Sequence, residues 1–125
     1  MDDAPAESPL SLRVISLTRS WPRLRVERAE CGVGYALAVA GGQVAHLHDD
    51  DAELLLGEAS VDRIRPALEL SGRIVPEGPA IRVRLESEND VRLLLSLLSV
   101  AIKTGGAREG NGPWCRVARR RAAVG

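Results

Sequence analysis

Two short stretches, Tyr35 to Ala40 and Gln43 to His48, flank Gly41-Gly42, and no other feature restricts the fold as much. Paired glycines accept the positive φ of tight loops, so the runs are expected to pair antiparallel. Other stretches extend the pattern. Leu24 to Cys31 alternates apolar with charged residues, and Glu53 to Leu56 follows the acidic turn Asp49-Asp50-Asp51. Arg73 to Val75 starts an extended piece that Pro76, Gly78 and Pro79 interrupt. Ile81, Val83 and Leu85 then alternate with Arg82 and Arg84, as in a strand with one wet face.

Three segments carry helical spacing instead. Ser8-Pro9 sets a capping residue before a proline at the first helical position, followed by Leu10, Val14, Leu17 and Trp21. Ser60 is placed to cap a helix whose face is Val61, Ile64, Ala67 and Leu68, with a kink or restart expected at Pro66 and a stop at Gly72. Ser87-Glu88-Asn89-Asp90 resembles a capping box opening a helix over 88–103, with Val91, Leu94, Leu95, Leu98 and Ile102 as its core stripe. Strands grouped together with helices beside them predict an α+β fold. The expected form is an antiparallel sheet of about five to six strands with three helices mainly on one face.

The chain of 125 residues contains no Phe, and its only aromatic residues are Trp21, Tyr35 and Trp114, so the core must be aliphatic. Residues 1–7 read as a disordered lead, 8–103 as one domain and 104–125 as a Gly/Arg-rich tail. In that tail Arg116, Arg119, Arg120 and Arg121 form a basic end around one large anchor, Trp114. Balanced charge, 17 basic against 17 acidic residues, argues against nucleic acid as the partner of the whole domain. No apolar run approaches a membrane span and no signal-peptide layout opens the chain, which predicts a cytoplasmic protein without a membrane partner. Leu93, Leu97 and Val100 broaden the apolar surface of the last helix, and a homodimer contact is one way to cover it.

Both histidines fall in Val44-Ala45-His46-Leu47-His48. Residues two apart on a strand share a face, so His46 and His48 project side by side. Such a pair can act as acid and base near neutral pH, or can ligate one metal with a carboxylate from Asp49–Asp51 or Glu53 as third ligand. Cys31 and Cys115 are distant in sequence and read as reduced thiols, since their spacing supports neither a zinc site nor a disulfide scaffold. A two-residue Gly41-Gly42 loop would pair Leu37 with His46 and Tyr35 with His48. Tyr35, His46 and His48 would then share an open face with Arg82 and Arg84, suited to a small anionic ligand. Ala36, Ala38, Ala40, Ala45 and Leu47 would form the face that helices cover.

The Val44–His48 segment with its acidic turn and Glu53-Leu54-Leu55-Leu56 resembles a small family labelled "luciferase domain". So do Arg63–Leu68 ending at Ser71-Gly72 and the stretch Ile81–Val91, and the resemblance spans about residues 10 to 103. It implies a fold-level grouping and points to His46 and His48, with no assigned reaction. The light-emitting flavin enzymes are (β/α)₈ barrels of roughly 250 residues, which this chain is too short to form.

The residues favour a binding or accessory domain that presents Tyr35, His46, His48, Arg82 and Arg84 to a small anionic ligand or protein partner. The alternative is a small cyclase-, isomerase- or hydrolase-type enzyme using His46 or His48 as general acid or base. No P-loop, nucleophile elbow or dinucleotide fingerprint decides between them, and no cofactor is indicated.

Overall fold

A computed structural model describes residues 8–40, 42–72, 74–103 and 114–124. The lead at 1–7, Gly41, Arg73, the part of the tail at 104–113 and Gly125 lie outside the described residues. The order is α1 (Pro9–Thr18), β1 (Arg25–Arg28), β2 (Tyr35–Val39), β3 (Gly42–His48), β4 (Asp51–Leu55), α2 (Glu58–Ser71), β5 (Ile74–Glu77), β6 (Ala80–Arg84), α3 (Glu88–Lys103) and α4 (Arg116–Val124). The strands form one six-stranded sheet in the order β1-β2-β3-β4-β6-β5, antiparallel throughout. This is the expected α+β fold.

Local chemistry sets the element ends. The Ser8 hydroxyl accepts the Ser11 amide at 3.2 Å as the N-cap of α1, with Pro9 beginning the helix. The Ser8 and Ser11 hydroxyls both donate to the Asp49 carbonyl, tying α1 to the β3–β4 turn. At α3 the capping box is reciprocal. Ser87 Oγ accepts the Asp90 amide at 3.4 Å, while Asp90 Oδ2 accepts the Ser87 amide at 3.0 Å and the Glu86 amide at 2.8 Å. Asp90→Ala would leave these amides without their acceptor and is expected to cost about 1–2 kcal/mol, read as a lower urea midpoint at unchanged slope. No shift in that midpoint would remove the cap from the account.

Helix α2 departs from the expectation at its start. It begins at Glu58 after Gly57 at φ 91°, with no side-chain cap, so Ser60 sits inside the first turn. The Leu56 and Gly57 amides both donate to the Pro79 carbonyl, and that crossing fixes where the chain turns into the helix. The helix continues through Pro66, where Asp62 and Pro66 are both exposed and water can serve the carbonyl that proline cannot pair. It stops at Gly72 in the left-handed region (φ 67°), as expected.

The main core lies on one face of the sheet, where Leu37, Leu47, Leu54, Ile81 and Val83 meet Val14 of α1, Val61 of α2, and Leu94 and Leu98 of α3. Leu93, Leu95, Leu97 and Ile102 pack partly buried against this core, so much of the apolar width of α3 is used within the chain. A second, smaller cluster occupies the other side. Ala29, Cys31, Ala36 and Cys115 are buried there beside Trp114, Val117 and Ala118. The segment assigned to the tail thus contributes α4 and a fully buried cysteine.

Candidate metal centre

The hairpin register decides which side chains meet. Val39 pairs with Gly42 and Ala38 with Gln43, and after a bulge Leu37 pairs with Ala45, Ala36 with His46 and Tyr35 with Leu47. The Val39–Gly42 pairing is two positions off the register expected of a Gly41-Gly42 loop, and the extra residue, Val44, takes back one, leaving a net slip of one residue. A one-residue slip exchanges the faces of one strand relative to its partner. Tyr35 therefore lies on the face opposite His46, which corrects its expected place in the patch. Ala36 and Ala38 share the histidine face instead. The bulge also puts Gln43 on the same face as His46, although they are three residues apart.

Arg82 and Arg84 do share the histidine face, since Glu53 pairs with both His46 and Arg82, and Asp51 with both His48 and Arg84. Each arginine lies beside a carboxylate. Arg82 is 3.8 Å from Glu77 and Arg84 is 3.2 Å from Glu86. The face is closed at His46, which is only 2% exposed. Trp114 covers it, with ring centroids 4.4 Å apart.

Four potential ligands converge beneath Trp114. Cys31, His46, His48 and Cys115 each offer one donor atom, and the four atoms lie within 4.8 Å of one another. Cys31 comes from the β1–β2 loop, where Gly32 (φ 86°) and Gly34 (φ 75°) adopt conformations suited to glycine. The Gly32 amide donates to the Ala29 carbonyl at 2.9 Å, closing the turn around the cysteine. Both histidines come from β3, and Cys115 directly precedes α4. Small Ala29 and Ala36 leave room for Cys115 to approach the sheet.

Hydrogen bonds set the histidine tautomers. The Gln43 amide nitrogen donates to Glu27 at 2.7 Å and to the Arg28 carbonyl at 2.8 Å, which fixes the orientation of its amide. Gln43 Oε1 then accepts from the Glu30 amide at 2.9 Å and lies 2.8 Å from His46 Nε2. A carbonyl oxygen only accepts, so His46 Nε2 carries the proton and Nδ1 presents its lone pair. That Nδ1 is buried with no hydrogen-bond partner among the described residues. Leaving a buried acceptor unmatched costs about 1–3 kcal/mol.

His48 is ordered in the same way. Its Nδ1 lies 3.2 Å from Glu53 Oε1, and a carboxylate accepts, so Nδ1 is the protonated nitrogen. Its Nε2 points to Cys31 Sγ at 3.2 Å. Glu53, expected as a possible ligand, instead supports one. It also accepts the Arg116 amide at 2.9 Å through Oε2, joining His48 to the start of α4. Burial pushes the Glu53 carboxyl up, but the hydrogen bonds from His48 and the Arg116 amide outweigh it and hold its pKa below the ordinary value.

The thiols and imidazoles are matched to a cation. Burial pushes the Cys115 thiol up to about 12, so without a cation it keeps its proton. Its sulfur accepts the Ala118 amide at 3.3 Å, a contact that favours a thiolate once a metal displaces that proton. Burial, reinforced by the charge on His48 and opposed by Glu53, lowers the His46 pKa to about 4 and keeps it neutral for ligation at neutral pH.

Of this constellation the two histidines stand out in the sequence. The cysteines did not, because the loop and the helix start that deliver them are set by tertiary structure. Gln43 could be connected to His46 only through the bulge. Among the described residues no helix is long and apolar enough to cross a membrane. No family model, curated protein or solved structure matches the chain.

Proposed function

We propose that this chain is a zinc-binding accessory domain in which Cys31, His46, His48 and Cys115 hold one ion in a structural, non-catalytic site. The buried, unpartnered Nδ1 of His46 carries the reading, because it aims a lone pair into a cluster of three other soft or borderline donors. A tetrahedral zinc ion with ordinary Zn–S and Zn–N bonds sets its donor atoms about 3.3–3.8 Å apart, close to the span of this cluster. Two sulfurs and two nitrogens suit zinc, and four protein donors leave no position for a reactive water. Glu53 on His48 and Gln43 on His46 are the outer partners that orient such ligands. The thiols fit a reducing compartment such as the cytoplasm. Grouping with the luciferase-domain proteins belongs to the same proposal, on the strength of the Val44–His48 segment.

One observation favours a second reading. Cys31, His48 and Glu53 line up at 3.2 Å and 3.2 Å as nucleophile, base and orienting acid would. That relay leaves Cys115 and His46 Nδ1 without roles, and Cys31 is only 5% exposed. Elemental analysis and calorimetric titration of the reduced, full-length protein distinguish the two. One zinc per chain, lost when Cys31 or Cys115 becomes serine, is the expected result. A metal-free protein that ignores added zinc and is alkylated selectively at Cys31 would replace zinc binding with the relay.

A further inference from the structure

We infer that the metal governs attachment of the C-terminal segment, so that Trp114, Cys115 and α4 form a strap closed by zinc. This rests on the zinc reading above and assigns that site a regulatory consequence. Three of the four ligands, Cys31, His46 and His48, belong to the sheet and its β1–β2 loop; Cys115 alone comes from beyond α3. The ion would therefore join two parts of the fold.

The strap's other described contacts centre on the same place, and they include apolar packing of Val117 and Ala118 against the cluster of Ala29, Cys31 and Ala36. Trp114 lies over His46, and the Arg116 amide meets Glu53, which also holds His48. Two further links are ion pairs at the surface, Arg116 to Asp51 at 3.5 Å and Arg119 to Glu77 at 3.1 Å. The arginines are exposed and their carboxylate partners partly buried, and such pairs weaken with salt. Without the ion, closing the strap buries His46 Nδ1 with no partner, whereas opening it admits water to that atom. With the ion bound, the same atom is a ligand and Cys115 is tethered. Metal and closure thus favour one another, as linkage requires.

Release would uncover the Cys31 face and free a basic helix whose Arg116 and Arg119 are held by Asp51 and Glu77 in the closed form. The device makes zinc availability readable as exposure of α4.

The test is amide hydrogen exchange on the full chain, reduced, with one equivalent of zinc and again after chelation. Bound zinc is counted in each sample. The expected result is one zinc bound, then at least about tenfold faster exchange at Arg116 and Arg119 after chelation, with β2 and β3 unchanged. In a Trp21→Phe protein, Trp114 fluorescence should shift to the red at the same step. Stoichiometric zinc whose removal leaves α4 protection intact would overturn the strap while sparing the metal site. Equal loss of protection across the whole chain would also overturn it, since the ion would then support the entire fold. No zinc uptake would remove the site itself. Cys115→Ser supplies a second check: at saturating zinc it should exchange at α4 like the chelated protein, and retained protection would refute the strap.

Discussion

Replacing His46 with alanine is expected to weaken zinc binding by more than about a hundredfold. Substituting an outer partner of a metal ligand typically costs about 10–100-fold in affinity, and removing a ligand must cost more. His46 is also the ligand best prepared for the ion, since Gln43 fixes its tautomer and burial keeps it neutral. Gln43→Ala should fall in the smaller range, because it frees the ring without deleting the donor. Gln43 itself remains paired in the His46→Ala protein, where its Oε1 still accepts the Glu30 amide. Competition titrations against a chromogenic chelator rank the two variants. Equal affinity for wild type and His46→Ala would exclude this histidine from the site.

Lowering the pH from 7 to about 4.5 is expected to remove about 2 kcal/mol of stability from the metal-free protein. The His46 pKa is depressed from 6.5 to about 4, first by burial. Between those values the unfolded chain binds a proton that the folded chain refuses, so stability falls as the pH falls through that window. The size follows from about 1.4 kcal/mol per pKa unit. Glu53 acts in the same direction. Its folded pKa is depressed, so its contribution is present above the ordinary carboxylate range and lost on acidification. Urea midpoints measured across this range check the effect. His46→Leu should flatten the curve above pH 5, and an unaltered slope in that variant would assign the acid sensitivity elsewhere.

The sheet was legible in the sequence because its pattern is local. Alternation at Ile81–Leu85, the Gly72 stop and the Ser87–Asp90 box all act within a few residues, and each does what its chemistry predicts. The faces of the central hairpin were not legible. The chain reverses two positions away from the expected register and the bulge at Val44 takes back one, a net slip of one residue that nothing in Gln43-Val44-Ala45 announces. That single slip placed Tyr35 with the histidines and hid Ala36 from them. Arg82 and Arg84 kept their expected face but are engaged by Glu77 and Glu86. The cysteines were harder still. Their meeting depends on the β1–β2 loop and on Trp114 covering His46, and both are properties of the packed chain.

Titration of cobalt(II) into the reduced, metal-free protein tests the central claim most directly, because cobalt reports both its ligands and its geometry. The expected spectrum combines thiolate-to-cobalt charge transfer with the intense ligand-field bands of a four-coordinate ion. It should saturate at one cobalt per chain and bleach on addition of one equivalent of zinc. Weak six-coordinate bands, or a spectrum unchanged when Cys31 and Cys115 are both serine, would contradict a Cys₂His₂ centre.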